Sequence, residues 1–251
     1  MTLASIDLNA DLGETDNDLD LMGVLSSANI ACGGHAGDTR SMTAAVQAAI
    51  AAGVRVGAHP SYADRAGFGR VELGLGPAEI AAAVTEQVET LAAVAGAAGI
   101  AISHLKLHGA LYHRAAIDTD CAEAILRSLQ EAEIGPLAVL APPGAVLAEA
   151  ARRRGWTAFE EGFCDRAYRG DGSLADRSEP GSVLATPAEA AAQAVEIAVL
   201  GGAHATDGSW VPLRPASLCV HGDSPGALQI ATAVRQALED AGVVVAPFSE
   251  P

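Results

Sequence analysis

Lysine is almost absent from this sequence of 251 residues: 14 of the 15 basic residues are arginine, and Lys106 is the only lysine. Asparagine is scarce as well, while alanine and glycine are abundant, which is typical of a GC-rich genome that replaces lysine wherever arginine will serve. Arginine does not reproduce the compact charge and adjustable pKa of lysine. Lys106 is therefore a candidate for chemistry, against the alternative that it survived by chance.

Long apolar runs and targeting signals are missing too. No run of about 20 apolar residues escapes polar interruption, so we expect no membrane span. The first residues show no basic segment followed by an apolar one, so we expect no secretion signal. The four cysteines lack CxxC spacing, which argues against a zinc finger or a disulfide scaffold. These features predict a cytoplasmic protein with free thiols.

Positive charge and nucleotide-binding glycine motifs are also lacking. A net charge of −16 disfavours nucleic acid and anionic membranes as partners, because phosphate binding needs clustered basic residues. No GxGxxG follows the first predicted strand, and no GxxxxGK[ST] occurs, so neither a Rossmann fold nor a P-loop is indicated. Chains of about 250 residues often form one α/β barrel, and we expect a single barrel domain over residues 1–251.

Short apolar runs alternate with alanine-rich stretches along the chain. The predicted strands are Ser5–Asn9, Ala28–Cys32, Arg55–His59, His104–His108, Leu137–Ala141, Thr157–Gly162 and Ser217–His221. The predicted helices lie near 39–52, 77–98, 118–132, 144–154, 186–200 and 225–241. This alternation indicates parallel βαβ units whose strands are buried on both faces. Because the nucleotide-binding motifs are missing, a closed (β/α) barrel is favoured over an open sheet.

Helix-capping residues support these boundaries. Asp38 is expected to cap a helix that begins at Thr39, Pro77 to occupy a first helical turn, and Ser224 with Pro225 to start the last helix. The stretches 164–184 and 201–215 show no helical period and are predicted to be long loops. Loops of this length in compact domains are often functional.

Polar residues gather at the carboxyl ends of the predicted strands, where barrel enzymes place their active sites. They include Asn9, Asp11, Glu14, His35, Asp38, His59, Asp64, Arg65, Arg70, His104, Lys106, His108, Tyr112, Glu160, Glu161, Asp165, Arg166, Tyr168, His221 and Asp223. Alternate strand residues share one face, so His104, Lys106 and His108 are predicted to face the barrel interior. Acidic partners for Lys106 are then needed, and Asp11, Glu161, Asp165 and Asp223 are the candidates.

Two glycine turns and three possible metal ligands complete the candidate site. Gly33 and Gly222 precede predicted helices, whose amino ends favour anions, so each turn is a candidate pocket for a substrate carboxylate or a phosphoryl group. Asp11, His35 and His59 offer the oxygen and nitrogen ligands of a zinc-type site. No HExxH motif occurs, so a metal is not specified.

Six motifs in order resemble the LamB/YcsF family over nearly the whole chain: DLNADLGE, SANIACGGHAGD, GAHPSYADRAGFGR, HLKLHGALYH, EGFCDRAYRGDGSL and CVHGDSPGA. The resemblance implies an α/β fold, a seven-stranded TIM-like (β/α) barrel of the glycoside hydrolase and deacetylase type. It also implies the role of the A-type component of a bacterial 5-oxoprolinase, working with two further subunits of the B and C type. The implied reaction is ATP-dependent opening of the 5-oxoproline lactam to L-glutamate.

The resemblance and the strand-end pattern select the same site residues. The expected catalytic residues are Asp11, His59, Lys106, His108, Asp165 and Arg166. The expected substrate-binding residues are Asn9, Glu14, Gly33, His35, Asp38, Glu161, His221, Gly222 and Asp223. ATP with Mg²⁺ is expected as co-substrate, bound by this barrel or through the partner subunits, and no tightly bound cofactor is expected.

Three departures from the family pattern and two rival functions stay open. The segment after Glu14 (TDNDLDLM) is short, Leu107 replaces a usual proline, and His113 replaces a common asparagine. One rival function is a stand-alone metal-dependent deacetylase or amidohydrolase that uses Asp11, His35 and His59. The other is a non-catalytic subunit that only binds a ligand.

Overall fold

A computed structural model describes residues 5–15, 17–223 and 226–248. Its strands are β1 (Ser5–Leu12), β2 (Ser27–Ala31), β3 (Arg55–His59), β4 (His104–Lys106), β5 (Ala138–Ala141), β6 (Ala158–Phe163), β7 (Gly202–His204), β8 (Trp210–Pro212), β9 (Ser217–Val220) and β10 (Val244–Val245). Its α-helices are α1 (Thr39–Ala52), α2 (Pro77–Ala97), α3 (Gly109–Ile117), α4 (Thr119–Glu131), α5 (Val146–Arg153), α6 (Pro187–Val195) and α7 (Ala227–Asp240).

Within the described residues, seven parallel strands close into a barrel in the order β1-β2-β3-β4-β5-β6-β9, and β9 returns to pair with β1. The short strand β10 adds to the first residues of β1, outside this ring. Helices connect most of the barrel strands, which gives the TIM-like architecture. The predicted seven-stranded (β/α) barrel is therefore confirmed.

Strand β1 shows how the sequence builds two surfaces. Leu8 and Ala10 are fully buried in the main apolar core, to which the surrounding helices contribute. The alternating residues Asp7, Asn9 and Asp11 form hydrogen bonds or ion pairs with side chains of other barrel strands. This period-two pattern places apolar residues under the helices and polar residues inside the barrel.

Local chemistry fixes the helix ends as expected. Asp38 accepts a hydrogen bond from the Ser41 N–H and Ser41 accepts one from the Asp38 N–H, so the two form a capping box at the start of α1. Pro77 lies in the first turn of α2. Residues 224 and 225, predicted to start the last helix, lie outside the described residues, and α7 begins at Ala227.

The structure corrects two predictions about local structure. The stretch 201–215 is not one loop, because β7 and β8 form an antiparallel hairpin there. Each hairpin strand has three residues, too few to show an alternating pattern in the sequence. Strand β4 ends at Lys106 rather than His108, because Gly109 begins the unpredicted helix α3. By contrast, 164–184 contains no helix or named strand, as predicted, and isolated bridges join its ends.

Two smaller elements were also missed. A 3-10 helix, Asp18–Val24, occupies much of the short segment after Glu14. A π-helical turn, Glu196–Leu200, ends the element predicted over 186–200. Among the described residues, no helix is both long enough and apolar enough to cross a membrane.

Candidate functional site

The barrel interior is filled with polar side chains, whereas most barrels fill it with branched aliphatic ones. In the lower layer, the carboxylate of Asp7 accepts a hydrogen bond from Ser27 at 2.8 Å and one from Ser217. Above it, the Asn9 amide donates to Glu161 at 2.8 Å and to Ser217 at 2.7 Å. Asn29 donates to Asn9 at 2.7 Å. Because these groups are buried and satisfied by one another, each has a fixed orientation.

Lys106 lies at the top of this polar column. Its Nζ lies 2.9 Å from Asp11 Oδ1, 3.0 Å from Glu161 Oε1, 3.1 Å from Cys219 Sγ and 3.3 Å from Asn9 Oδ1. Burial by itself lowers the pKa of Lys106, yet Asp11, Cys219 and Glu161 together outweigh burial and hold that pKa well above its ordinary value. Lys106 is therefore an ammonium ion held mainly by two carboxylates.

Asp11 lies between two cationic partners. Its Oδ2 is 3.3 Å from His59 Nε2, while its Oδ1 contacts Lys106. Burial raises the pKa of Asp11, but the charges of His59 and Lys106 hold it well below its ordinary value. The pKa of His59 is lowered by burial, but Asp11 and Glu14 together raise it more, so the net shift is upward. Asp11 is thus a carboxylate and a poor base.

Three imidazoles converge on Glu14. Its Oε1 lies 2.6 Å from His35 Nε2, 3.2 Å from His108 Nδ1 and 3.7 Å from His59 Nε2. Burial lowers the pKa of His35 to about 4, so its ring is neutral. The second ring nitrogen of each histidine has its own partner: the Ser61 hydroxyl for His35, the Lys106 carbonyl for His59 and the Phe68 carbonyl for His108.

This same cluster has the spacing of a metal site. Donor atoms of Glu14, His35, His59 and His108 lie within 4.8 Å of one another, so His35 and His59 of the predicted ligand set are joined here by Glu14 and His108. An imidazole binds a metal through a lone pair in its ring plane. The rings of His35 and His108 are stacked 3.7 Å apart and 2° from parallel, so their lone pairs do not converge on one ion. The group fits a metal only if one of the stacked rings turns away.

Asp165 and His221 form a separate pair, of which His221 lines the cavity and Asp165 is buried. Asp165 Oδ1 lies 2.8 Å from His221 Nδ1, and its Oδ2 accepts a hydrogen bond from the His221 N–H at 2.9 Å. Burial raises the pKa of Asp165, but His221 lowers it more, so Asp165 is a carboxylate. A carboxylate on Nδ1 fixes the tautomer that presents Nε2 for proton transfer.

One cavity of about 820 Å³ lies at the carboxyl ends of the barrel strands, and His35 and Asp165 are not among the described residues that line it. Its floor is made by Asp11, Glu14, His59, Lys106 and His108. Its wall and rim include Arg70, Glu72, Tyr112, His113, Arg114, Phe163, Arg166, Arg169, Asp176, Arg177, His221, Gly222 and Asp223. A pocket of this size suits a small molecule with a few converging polar groups.

Several predicted site residues lie beneath the cavity or away from it. Asn9 and Glu161 support the floor from below, through Lys106. In the described part of the chain, Gly33 and Asp38 are not among the residues that line the cavity. The Gly33 N–H donates to the Ala36 carbonyl at 2.8 Å, so it is not free for an anion. Gly222 does line the cavity, where its backbone approaches Asp11 so closely that a Cβ would lie 2.8 Å from the Asp11 carbonyl oxygen.

The sequence patterns missed Cys219 and Arg177. Cys219 is an acceptor for Lys106, and it lies in β9, two residues before His221. Arg177 lines the cavity from the long loop 164–184. The position of Arg177 depends on the conformation of that loop, which no local sequence motif predicts.

The fold and the site together define a (β/α)-barrel protein of the enzyme type, with buried charged groups under a cavity at the strand carboxyl ends. The chain belongs to the LamB/YcsF family, which it matches over residues 6–251. The family membership predicted from the six motifs is thereby confirmed.

Similar proteins cover nearly the whole chain. A Streptomyces griseus protein named as the A subunit of 5-oxoprolinase is 45% identical, over 97% of this chain and 100% of its own length. A Thermus thermophilus protein of the same name is 44% identical, over 97% of this chain and 99% of its own length. The crystal structure of a lactam utilization protein from Thermus thermophilus has a TM-score of 0.90 and 42% identity, and covers 97% of this chain and 100% of that chain.

Proposed function

We propose that this chain is the lactam-opening subunit of an ATP-dependent 5-oxoprolinase, which converts 5-oxoproline to L-glutamate together with two further subunits of the B and C type. Full-length similarity to relatives named as the A subunit of 5-oxoprolinase supports the proposal. The structural observation that carries it is the charged cavity floor, where Lys106 and His59 flank Asp11. The four free, buried thiols fit the proposed location in the cytoplasm.

The proposed reaction begins with activation of the lactam. Transfer of the ATP γ-phosphoryl group, with Mg²⁺, to the lactam oxygen makes the ring carbon a strong electrophile. Water then adds to that carbon and the C–N bond breaks, with a proton passing to the ring nitrogen, which leaves the γ-acyl phosphate of glutamate. A second water hydrolyses this acyl phosphate to L-glutamate and inorganic phosphate. This chain contains no P-loop or Rossmann motif, so we assign the binding of ATP to the partner subunits or to a different geometry in this barrel.

Lys106 acts through its charge in this proposal. Its three hydrogens already face four acceptors of the protein within 3.3 Å, so a direct bond to substrate requires the displacement of one of them. The weakest acceptor is the thiol of Cys219. In either case a preorganised ammonium under the cavity stabilises negative charge that develops on the lactam oxygen.

We assign proton transfer to His221. In the described residues, His35, His59 and His108 are buried and have partners on both ring nitrogens, so none is free to exchange a proton with water. His113 also lines the cavity, but among the described contacts no carboxylate orients its ring. His221 has Asp165 on Nδ1 and lies in the cavity wall. Asp165 is then its positioning residue.

Reconstitution tests the proposal directly. Glutamate release is measured from 5-oxoproline, ATP and Mg²⁺, with this chain and its two partner subunits, together and with each omitted. We expect release only from the complete mixture. Lys106→Met and Asp11→Asn should each abolish release, whereas the exposed Asp120→Asn on α4 should not change it. No release from competent partners, or normal release with both floor variants, contradicts the proposal.

A further inference from the structure

We propose that Arg166, Arg177 and Arg70 form a binding site for a phosphoryl group on the wall of the cavity. The choice of phosphoryl source rests on the proposed function, but the site itself rests on an excess of positive charge. This excess is unexpected in a chain with a net charge of −16, where cations should be neutralised easily. Five of its arginines nevertheless line this one cavity: Arg70, Arg114, Arg166, Arg169 and Arg177.

Two of these five arginines are neutralised by carboxylates of their own. Arg114 Nη1 lies 2.8 Å from Glu72, and its Nε lies 3.1 Å from Asp118. Arg169 forms an ion pair with Glu179. These two arginines therefore add little net charge to the cavity, and the excess comes from the other three.

Arg166 is buried without an acidic partner. The residue is only 7% exposed, and its Nη2 and Nε donate to the carbonyls of Ala175 at 2.5 Å and Ser182 at 3.3 Å. No carboxylate among the described residues lies within ion-pair distance of it. A buried guanidinium bound only to carbonyls retains its full charge, and burying such a charge is costly unless an anion compensates it.

Arg70 and Arg177 share a single carboxylate. Asp223 Oδ2 lies 2.5 Å from Arg70 Nη2 and 3.7 Å from Arg177 Nη1. Within ion-pair distance, three guanidinium groups are therefore matched by one carboxylate, so direct pairing leaves two of the positive charges without a partner. A phosphoryl dianion has this charge, whereas the carboxylate of 5-oxoproline has half of it. Guanidinium groups also match the geometry of phosphate oxygens.

Two further carboxylates face Arg166 at longer range. Both oxygens of Asp165 are bound to His221. Asp176 is exposed, and it accepts hydrogen bonds from the N–H and hydroxyl of Ser178. Among the described residues neither carboxylate forms an ion pair with Arg166. Burial and the charge of Arg177 lower the pKa of Arg166 despite both carboxylates, so its charge is incompletely compensated and the site can take an outside anion.

The long loop 164–184 holds the site in place. Its two ends are joined by a bridge between Arg166 and Val183, and the loop carbonyls of Ala175 and Ser182 bind the Arg166 side chain. This loop carries both Arg166 and Arg177, while Arg70 and Asp223 approach from other strand ends. The loop thereby places two guanidinium groups on the wall of the same cavity that His221 lines.

Two sources could supply the phosphoryl group: the phosphorylated lactam and the γ-phosphate of ATP. The first test measures binding of inorganic phosphate to the full chain by calorimetry. We expect saturable binding of phosphate to the parent. The affinity should fall about tenfold or more in Arg166→Lys, because lysine lacks the paired N–H donors of the guanidinium group, and in Arg177→Gln. Arg127→Gln, on the exposed face of α4, is the matched control and should bind phosphate as the parent does.

Arg177 is one-third exposed, so Arg177→Gln should fold even if the Arg166 variant does not. The absence of saturable phosphate binding, or equal affinity in the parent, Arg177→Gln and Arg127→Gln, overturns the site. A non-hydrolysable ATP analogue with Mg²⁺ distinguishes the two sources. If the ATP analogue competes with phosphate and binds much more tightly than phosphate does, the γ-phosphate of ATP is the source. If the analogue binds no more tightly than phosphate, the phosphorylated lactam is the source.

The reconstituted enzyme separates this proposal from the proposed function. If phosphate binds and the variants lower its affinity, but the complete mixture releases no glutamate, the phosphoryl site is supported and the proposed function is contradicted. If the mixture releases glutamate at the parent rate with Arg177→Gln and with Arg166→Lys, the function stands and the phosphoryl site fails.

Discussion

Replacing Lys106 by methionine tests how the buried charges of the barrel are balanced. Methionine fills much of the same volume but removes the ammonium ion from between Asp11 Oδ1 and Glu161 Oε1, which lie 2.9 and 3.0 Å from it. Both carboxylates are buried and lose a cationic partner. Breaking a buried ion pair by removing one partner typically costs about 3–5 kcal/mol. We expect a loss of this size in the free energy of unfolding at pH 7.5.

The pH dependence gives the prediction its sign. In the parent, the depressed pKa of Asp11 adds stability above its unfolded pKa, and this stability is lost as the pH falls through the folded pKa. The raised pKa of Lys106 adds stability that is fully present below its unfolded pKa, so this contribution is constant between pH 5.5 and 7.5. Without Lys106, the pKa of its former partners must rise. At pH 5.5 the two carboxylates of the variant then take up protons more readily, which removes part of their unpaired charge. The difference in free energy of unfolding between the parent and Lys106→Met should therefore be smaller at pH 5.5 than at pH 7.5.

The measurement is urea unfolding at both pH values, for the parent, Lys106→Met and the double variant Lys106→Met/Glu161→Gln. The double variant removes one of the two stranded carboxylates and should recover part of the loss at pH 7.5. A Lys106→Met chain within about 1 kcal/mol of the parent at pH 7.5 would refute the reasoning. A stability difference between the parent and Lys106→Met that is the same at pH 5.5 as at pH 7.5 would also refute it.

Other predictions concern single contacts. Asp165→Asn should slow glutamate release by the reconstituted enzyme about 100-fold and change its pH–rate profile, because His221 loses the carboxylate that orients it; an unchanged profile contradicts this role. Asp38→Ala should lower the melting temperature by removing the capping box of α1 but leave KM for 5-oxoproline unchanged, and a raised KM would restore Asp38 to the substrate site. Gly109→Ala should destabilise the chain by more than about 1 kcal/mol in urea unfolding, since φ is 57° and a Cβ would lie 2.5 Å from the Gly69 carbonyl oxygen. Burial raises the pKa of Cys32 to about 12, so its labelling by iodoacetamide at pH 8 should be slow until urea unfolds the protein.

The sequence was sufficient to predict the barrel, because strand and helix signals are local and repeat along the chain. Strands β2 and β3 and helix α1 were each predicted to within one residue. The inward face of β4 could also be predicted, since period two places His104 and Lys106 on one side. Its end could not, because His108 and Gly109 fit either a longer strand or the start of a helix.

The pairing of site residues was much less predictable. Asp11 and Glu161 were among four acidic candidates for Lys106, and the structure selects these two. Asp165, another candidate, is instead bound to His221, 56 positions away in sequence. Contacts of this range depend on the angular order of the strands around the barrel. A sequence pattern gives the end of each strand but not the distances between side chains across the barrel.

The metal hypothesis shows the same limit. Sequence order suggested Asp11, His35 and His59, each at the end of a different strand. In the structure, Asp11 is engaged by Lys106 and His59, while Glu14 and His108 join the two predicted histidines. The stacking of His35 on His108 could not be foreseen, because it depends on the turns after β2 and β4. The ligand set therefore stays a prediction, and metal content after purification is its direct measure.

The polar column inside the barrel explains how one lysine can serve this site. A flexible lysine in an apolar barrel would lose its proton or turn toward solvent. Here the layers below fix Asn9 and Glu161, and these two residues together with Asp11 fix the ammonium at the cavity floor. An arginine in place of Lys106 would need room for a planar group with five donors, and the four acceptors around Nζ surround a single point. The geometry thus gives a physical reason why lysine persists at this position in a chain that otherwise uses arginine.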